Sequence, residues 1–256
     1  MKKKGIGSWC ILGGLLVFFL GMLAACGLGV YNDSEQYITM HIHREPLYPL
    51  YLALFRWLCG EGYLTAAAAG QNLLTAVSIW VLSEYIASHF RLRVWEELAV
   101  VLLHIVPHLM TRYVSALHIF LENSVMSEAL CIPLFQFFLY FLLRMLFEHR
   151  KRDRALSLVF AFLLSMTRGQ MMTTILMWMV LAVLQELSEL LLHRDASVRD
   201  GKKILAGGIR AVLFPVITVI LVFGLRSLTI HVYNYAVTGY FMGNTYGQVN
   251  TLTNVI

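Results

Sequence analysis

Apolar residues along this chain run in long blocks, and short polar gaps separate the blocks. Seven blocks read as hydrophobic helices, at about 9–31, 63–88, 95–111, 125–147, 155–167, 170–192 and 205–230. A shorter apolar segment, 47–59, contains Pro49 and Arg56 and is too short to span. It predicts a helix lying on the membrane surface, with Tyr48, Tyr51 and Trp57 at headgroup depth. The first gap, 32–62, is therefore expected to form two short amphipathic helices. The run Ala66-Ala67-Ala68-Ala69-Gly70 begins a span and is no linker. No repeat or soluble domain interrupts the pattern. The expected fold is all-α: one transmembrane domain, 1–256, a polytopic bundle of about seven spans.

The fifth block is the odd one. Arg154 and Arg168 bracket thirteen residues, Ala155 to Thr167. At 1.5 Å per residue these reach about 20 Å, against a hydrocarbon core of roughly 30 Å. The block must nevertheless cross, or the basic run from Arg194 to Lys203 would fall on the wrong side. Arg168 is thereby expected below the membrane surface or in a cavity, which makes it a site candidate.

Composition agrees with this class. The 256 residues are 59% hydrophobic and 14% charged, where soluble domains carry about 25% charged residues. The net charge of +5 does not imply nucleic-acid binding, because Lys and Arg sit in the gaps, where they set topology. Lys2 to Lys4, Arg91, Arg93, His149 to Arg154 and Arg194 to Lys203 share one side. Arg44, Arg56, Arg112, Arg168 and Arg226 are scattered on the other. The expected orientation is a cytoplasmic N-terminus and an extracytoplasmic first loop, in a plasma membrane. Cys10, Cys26, Cys59 and Cys131 lack metal-ligand spacing and read as small buried hydrophobic residues. The lysine-rich start imitates a signal peptide, and Leu23-Ala-Ala-Cys26 a lipoprotein cleavage site. The apolar run behind them is long enough to remain as a span.

Ionisable residues concentrate directly after the first span, in Asn32-Asp33-Ser34-Glu35-Gln36-Tyr37 and His41-Ile-His43-Arg44-Glu45-Pro46-Leu-Tyr48-Pro49. Read as a helix over 33–44, this segment places Asp33, Tyr37, His41 and Arg44 on one face and Ile38 and Ile42 on another. Asp33 reads equally well as a helix cap, with Gln36 three residues on. His41 and His43 would point apart on a helix. Only an extended segment sets them side by side, and a metal could use one of them with Asp33 or Glu128. Glu128 opens the fourth span on the same side as Asp33. The helix dipole favours it there by about 0.3–1 kcal/mol, little against the roughly 2.5–3.5 kcal/mol cost of a charge at mid-bilayer. Glu122 is expected to be solvated. Glu84, His104 and Pro107 are the hints of a midplane pathway, and His104 reads better as a hydrogen-bonded histidine.

Four features together resemble the N-terminal part of a GT-C type glycosyltransferase, the group of protein O-mannosyltransferases and aminoarabinose transferases. They are Asp33 after the first span, the Arg44-Glu-Pro-Leu-Tyr-Pro-Leu segment, Ser127-Glu128-Ala-Leu at the fourth span, and Thr167-Arg168 after a basic loop and short helix. The resemblance covers about residues 5–195. It implies a hexosyl- or pentosyltransferase, inverting, that moves sugar from a polyprenyl-phosphate donor to a lipid, glycan or protein acceptor. It implies Asp33 as base, Arg44 and Arg168 on the donor phosphate, and Glu128 orienting the acceptor or helping to hold a divalent metal. Glu35, Tyr37, His41 and Tyr48 would line the site. Gly169 and Ala129 depart from the family's prolines, and the family's enzymes continue for further spans, so the chain is expected to be an incomplete piece. An O-antigen ligase or polymerase-like enzyme and a membrane transporter stand as alternatives.

Overall fold

The structure is a computed structural model that describes residues 6–115, 118–192 and 201–243. Nine α-helices are found among them: α1 (Ile6–Cys26), α2 (Ser34–Ile38), α3 (Leu47–Cys59), α4 (Tyr63–Phe90), α5 (Val94–Tyr113), α6 (Ser127–Glu148), α7 (Lys151–Thr167), α8 (Met172–Leu192) and α9 (Gly201–Thr238). No strand occurs among the described residues. Six helical segments are long and apolar enough to cross a membrane, as in a multi-pass membrane protein. One of them, Leu47–Phe90, takes in α3 as well as α4. The two are joined by the tight turn Gly60–Gly62, and Gly60 adopts φ +59° there. The seventh, α7, has 17 residues and begins with charged Lys151-Arg-Asp-Arg154, so its apolar length is short, as the bracketing arginines predict. α9 outruns its expected limit and stops at Gly239, whose φ of +79° lets its N–H bond Tyr235 O at 2.8 Å.

The helices form two groups. Leu15 and Phe19 of α1, Ala76, Ile79 and Trp80 of α4 and Val101 of α5 make one core with Phe120. Phe138, Leu142 and Met145 of α6 meet Ala161 and Leu164 of α7, Ile175, Trp178 and Ala182 of α8, and Val219 of α9 in the other. α4 and α6 join the groups. The buried face of α4 carries small residues, including Ala67, Ala68, Ala76 and Ser78. Small residues let backbones approach where lipid removes any hydrophobic drive between helices. Ser78 Oγ donates to Gln136 Oε1 across this seam at 2.5 Å. Large apolar side chains, such as Leu103, Leu213 and Leu221, point outward, an exterior suited to lipid.

The first gap differs from its expected form. α2 has five residues, and the chain reverses at Met40, φ +56°. One helical face therefore does not run from Asp33 to Arg44. Asp33 makes no side-chain capping bond. Tyr48 and Tyr51 turn their hydroxyls into the protein rather than outward. Tyr48 is fully buried and donates to Gln71 Oε1 at 2.8 Å, and the Tyr51 hydroxyl reaches Ala67 O at 2.6 Å. Trp57 alone of the three is 80% exposed. Three of the four cysteines, Cys10, Cys26 and Cys59, are exposed, and Cys131 is buried.

Glu122 is also corrected, since it is fully buried rather than solvated, with Oε1 2.6 Å from His108 Nδ1. It belongs to a turn, Leu121–Asn123, that the surrounding helices grip. Gln71 Nε2 donates to the carbonyls of Glu122 (2.9 Å) and Ser124 (3.2 Å), and Asn72 Nδ2 to those of Ala68 (2.8 Å) and Glu122 (3.2 Å). Asn123 Nδ2 reaches Met22 O at 3.0 Å. Gly29 pairs with this segment through its N–H to Asn123 O and its carbonyl to Val125 N. Buried irregular backbone persists only when its polar groups are satisfied inside the protein.

Gln71→Leu should therefore cost about 1–3 kcal/mol, the penalty of stranding buried acceptors. Ser78→Ala, which removes one bond between helices, should cost about 0.6 kcal/mol. Thermal unfolding of the two variants in one detergent checks this order. Equal losses would contradict it.

Candidate functional site

Adjacent helices alternate in direction. One end of the bundle therefore collects the end of α1, the start of α6, the end of α7 and the far part of α9. A cavity of about 440 Å³ opens at this end, lined by Tyr37, Arg44, Glu45, Ser127, Arg168 and Arg226 among others.

Arg44 organises one wall. Its guanidinium pairs with Asp33 Oδ1 at 2.8 Å, donates to Gln36 Oε1 at 2.8 Å and to the Tyr37 hydroxyl at 3.3 Å, and lies over the Tyr37 ring. The reversal at Met40 makes this clustering possible. The Tyr37 hydroxyl in turn meets Ser127 Oγ at 2.9 Å, and Ser127 Oγ donates to Glu128 Oε2 at 3.2 Å. Glu128 forms an ion pair with Arg168. A continuous polar chain thus runs from Asp33 through Arg44, Tyr37, Ser127 and Glu128 to Arg168. Burial raises the Tyr37 pKa above its usual 10, the Ser127 bond opposing it, so at neutral pH this hydroxyl is neutral.

Glu45 and Arg226 form the other wall, 2.5 Å apart, with side chains 10% and 13% exposed. Arg226 Nε also donates to Ser165 O at 3.3 Å. Gly169 allows this approach, because a Cβ there would stand 3.0 Å from Glu45 Oε1. The departure from proline after Arg168 thus coincides with a close carboxylate. Neither Glu45 nor Arg226 was among the residues singled out from the sequence. Arg226 carried a usable signal, a lone charge in the apolar stretch Val222-Phe-Gly-Leu-Arg226. Glu45 carried only its place in the ionisable cluster after the first span, since nothing local shows that α9 will meet it.

The other expected residues separate. Arg44, Arg168 and Tyr37 line the cavity. Glu128 and Asp33 stand one contact behind it, and Asp33 is 51% exposed. Glu35 and His41 are exposed and do not line it. Tyr48 lies beneath, packed edge-on against Tyr37 at 5.1 Å. The His41 and His43 rings do come together, 4.3 Å apart, in a turn and not on a strand. His43 alone lines the cavity. No group of three or more candidate metal ligands is found among the described residues. Arg56 and Arg112 engage elsewhere, Arg56 on Tyr63 and Arg112 on His118 O. Glu84 accepts from Ser8 at the opposite end, and His104 Nδ1 lies 2.8 Å from Val100 O in its own helix. Past α9 the described residues end at Gly243, where Asn234 Nδ2 donates to Met242 O at 2.9 Å.

No family model, curated protein or solved structure matches this chain.

Two outcomes follow from the geometry. Arg226→Met should destabilise the protein by about 3 kcal/mol, the lower end for breaking a buried pair, and adding Glu45→Met should restore most of it. Thermal unfolding of the single and double variants reads this. His43 is held below its usual 6.5, first by burial and then by His41 and Arg44. As pH falls below 6.5 the unfolded chain takes up the proton before the folded one, so stability should fall there. His43→Gln should flatten that limb of the pH–stability curve, and an unchanged limb would assign it to another group.

Proposed function

We propose that this chain is a membrane glycosyltransferase of GT-C type, or the N-terminal part of one. It would transfer sugar from a polyprenyl-phosphate carrier to an acceptor at the first-loop face, which is extracytoplasmic if the N-terminus is cytoplasmic. One observation carries the reading. Arg44, Arg168 and Arg226 line a single cavity at the end of a bundle whose exterior suits lipid. An arginine fork binds phosphate bidentately, and a donor with a lipid tail must present its phosphate at such a height. The motifs at Asp33, Arg44, Glu128 and Arg168 were matched separately in sequence, and their contacts form one network, which further supports the reading.

In this reaction the acceptor hydroxyl or amine attacks the anomeric carbon while the bond from that carbon to the phosphate oxygen breaks. The acceptor's proton passes to a carboxylate, and the electron pair leaves with the lipid phosphate. Arg44, Arg168 and Arg226 stabilise the charge that grows on the phosphate. Each arginine already faces a carboxylate, so an entering phosphate must share or replace Asp33, Glu128 or Glu45. The displaced carboxylates are then at hand for the acceptor. Asp33 is the base by resemblance. Glu45 is the carboxylate that itself lines the cavity, and it is the competing choice for that role.

Membranes carrying the full gene product, given a panel of polyprenyl-phosphate sugars, test this at matched expression. Asp33→Asn should lower turnover by about 10²–10⁴-fold, the range for a lost general base, with thermal stability unchanged. Arg168→Ala should lower it by about 10²–10³-fold, as for a lost oxyanion donor. Loss with Glu45→Gln but not with Asp33→Asn would transfer the base to Glu45. Wild-type turnover indifferent to all three would remove the site.

A further inference from the structure

The opposite end of the bundle holds a larger cavity, about 670 Å³, between α7, α8 and α9. Its lining is layered. Lys151 and Arg154 in the first turn of α7, Arg210 on α9 and one carboxylate, Glu186 of α8, form a charged layer across it, with Leu190 and Gly207 about one turn further out. One helical turn inward, about 6 Å, the walls become Leu158 and Phe214, with Trp178 from α8. Ala155 is an exposed small residue between the two layers.

Arg154 marks the boundary. One of its nitrogens pairs with Glu186, and its guanidinium carbon lies 5.7 Å from the Trp178 ring and 5.5 Å from the Phe214 ring. Its Nε and Nη2 are closed to solvent, so the cations open to the slot are the exposed Lys151 and Arg210. Three cations face one carboxylate here, so the site is complementary to an anion. Its lower walls are apolar and its helices belong to a membrane bundle, so the anion best matched carries a hydrocarbon chain.

We propose that this slot binds one anionic phospholipid, its phosphodiester between Lys151 and Arg210, with an acyl chain along Leu158 and Phe214. Basic pockets between spanning helices suit such headgroups. The site is separate from the proposed transfer site and does not rest on that reading.

Native mass spectrometry of the full chain in neutral detergent tests it. The probe is an equal mixture of phosphatidylglycerol and phosphatidylcholine with identical acyl chains. Wild type should retain phosphatidylglycerol about tenfold over phosphatidylcholine. Lys151→Gln with Arg210→Gln should weaken that retention by about 25-fold, roughly fivefold for each cation near a membrane surface. Arg152→Gln, whose residue does not line the slot, should leave it unchanged. Ala155→Phe should abolish it by filling the slot with no change of charge. Equal retention of both lipids, or retention that survives both the double variant and Ala155→Phe, would overturn the proposal. Displacement of the lipid by millimolar inorganic phosphate would overturn the lipid assignment in favour of a free anion.

Discussion

The grip of Gln71 and Asn72 on the Leu121–Ser124 turn is the constraint on which the rest of the site end depends. A buried break in helical structure leaves carbonyls that apolar surroundings cannot satisfy. The two α4 amides cap them, and Gln71 extends the same bonding to Tyr48. From there the order propagates. Tyr48 packs on Tyr37, Ser34 Oγ donates to Val125 O at 2.8 Å, and Ser127 meets Tyr37. The first gap is thereby tied to the start of α6 by side chains that hold no charge.

The charged groups are added to that neutral frame. Asp33–Arg44, Glu128–Arg168 and Glu45–Arg226 are three pairs of opposite sign around one cavity. Such pairs contribute little net stability, because desolvation offsets their attraction. In the proposed transfer reaction they would supply cations held in fixed directions at low cost in reorganisation, the arrangement that stabilises a developing negative charge. The partly exposed pairs Asp33–Arg44 and Glu128–Arg168 are the easier to exchange for a ligand. The more buried Glu45–Arg226 pair ties α9 to the first gap.

Ion pairs join segments at both ends of the bundle, and the site end adds a neutral frame around its irregular backbone. At the site end, neutral amides and hydroxyls close the irregular backbone. At the other end ion pairs also join segments: Arg144 of α6 with Asp153 of α7 at 3.2 Å, Arg154 of α7 with Glu186 of α8, and His149 with Glu189 of α8. Charged links tolerate nearby water, whereas a buried turn surrounded by apolar helices favours groups with small desolvation cost.

By itself the sequence determined the class and the order of the bundle. Long apolar blocks dictate helices, because backbone polar groups in lipid must bond within their own segment, and that rule acts locally. The same local logic marked the shortness of α7 and drew attention to Arg44, Arg168 and Glu128. Only the tertiary structure decided the site's shape. Periodicity over 33–44 suggested one helix, but the reversal at Met40 is set by Ser34 and Tyr37 docking on the start of α6. Glu122 looked solvated because its buried environment comes from Gln71, Asn72 and His108, which lie far away or on another helix. That Tyr48 and Tyr51 pack inward was hidden because the groups that receive them, among them Gln71, Ala67 and Gly70, belong to α4. Glu45 and Arg226 are 181 positions apart. Which charge meets which depends on how helices pack, and packing between distant segments leaves no period in the chain.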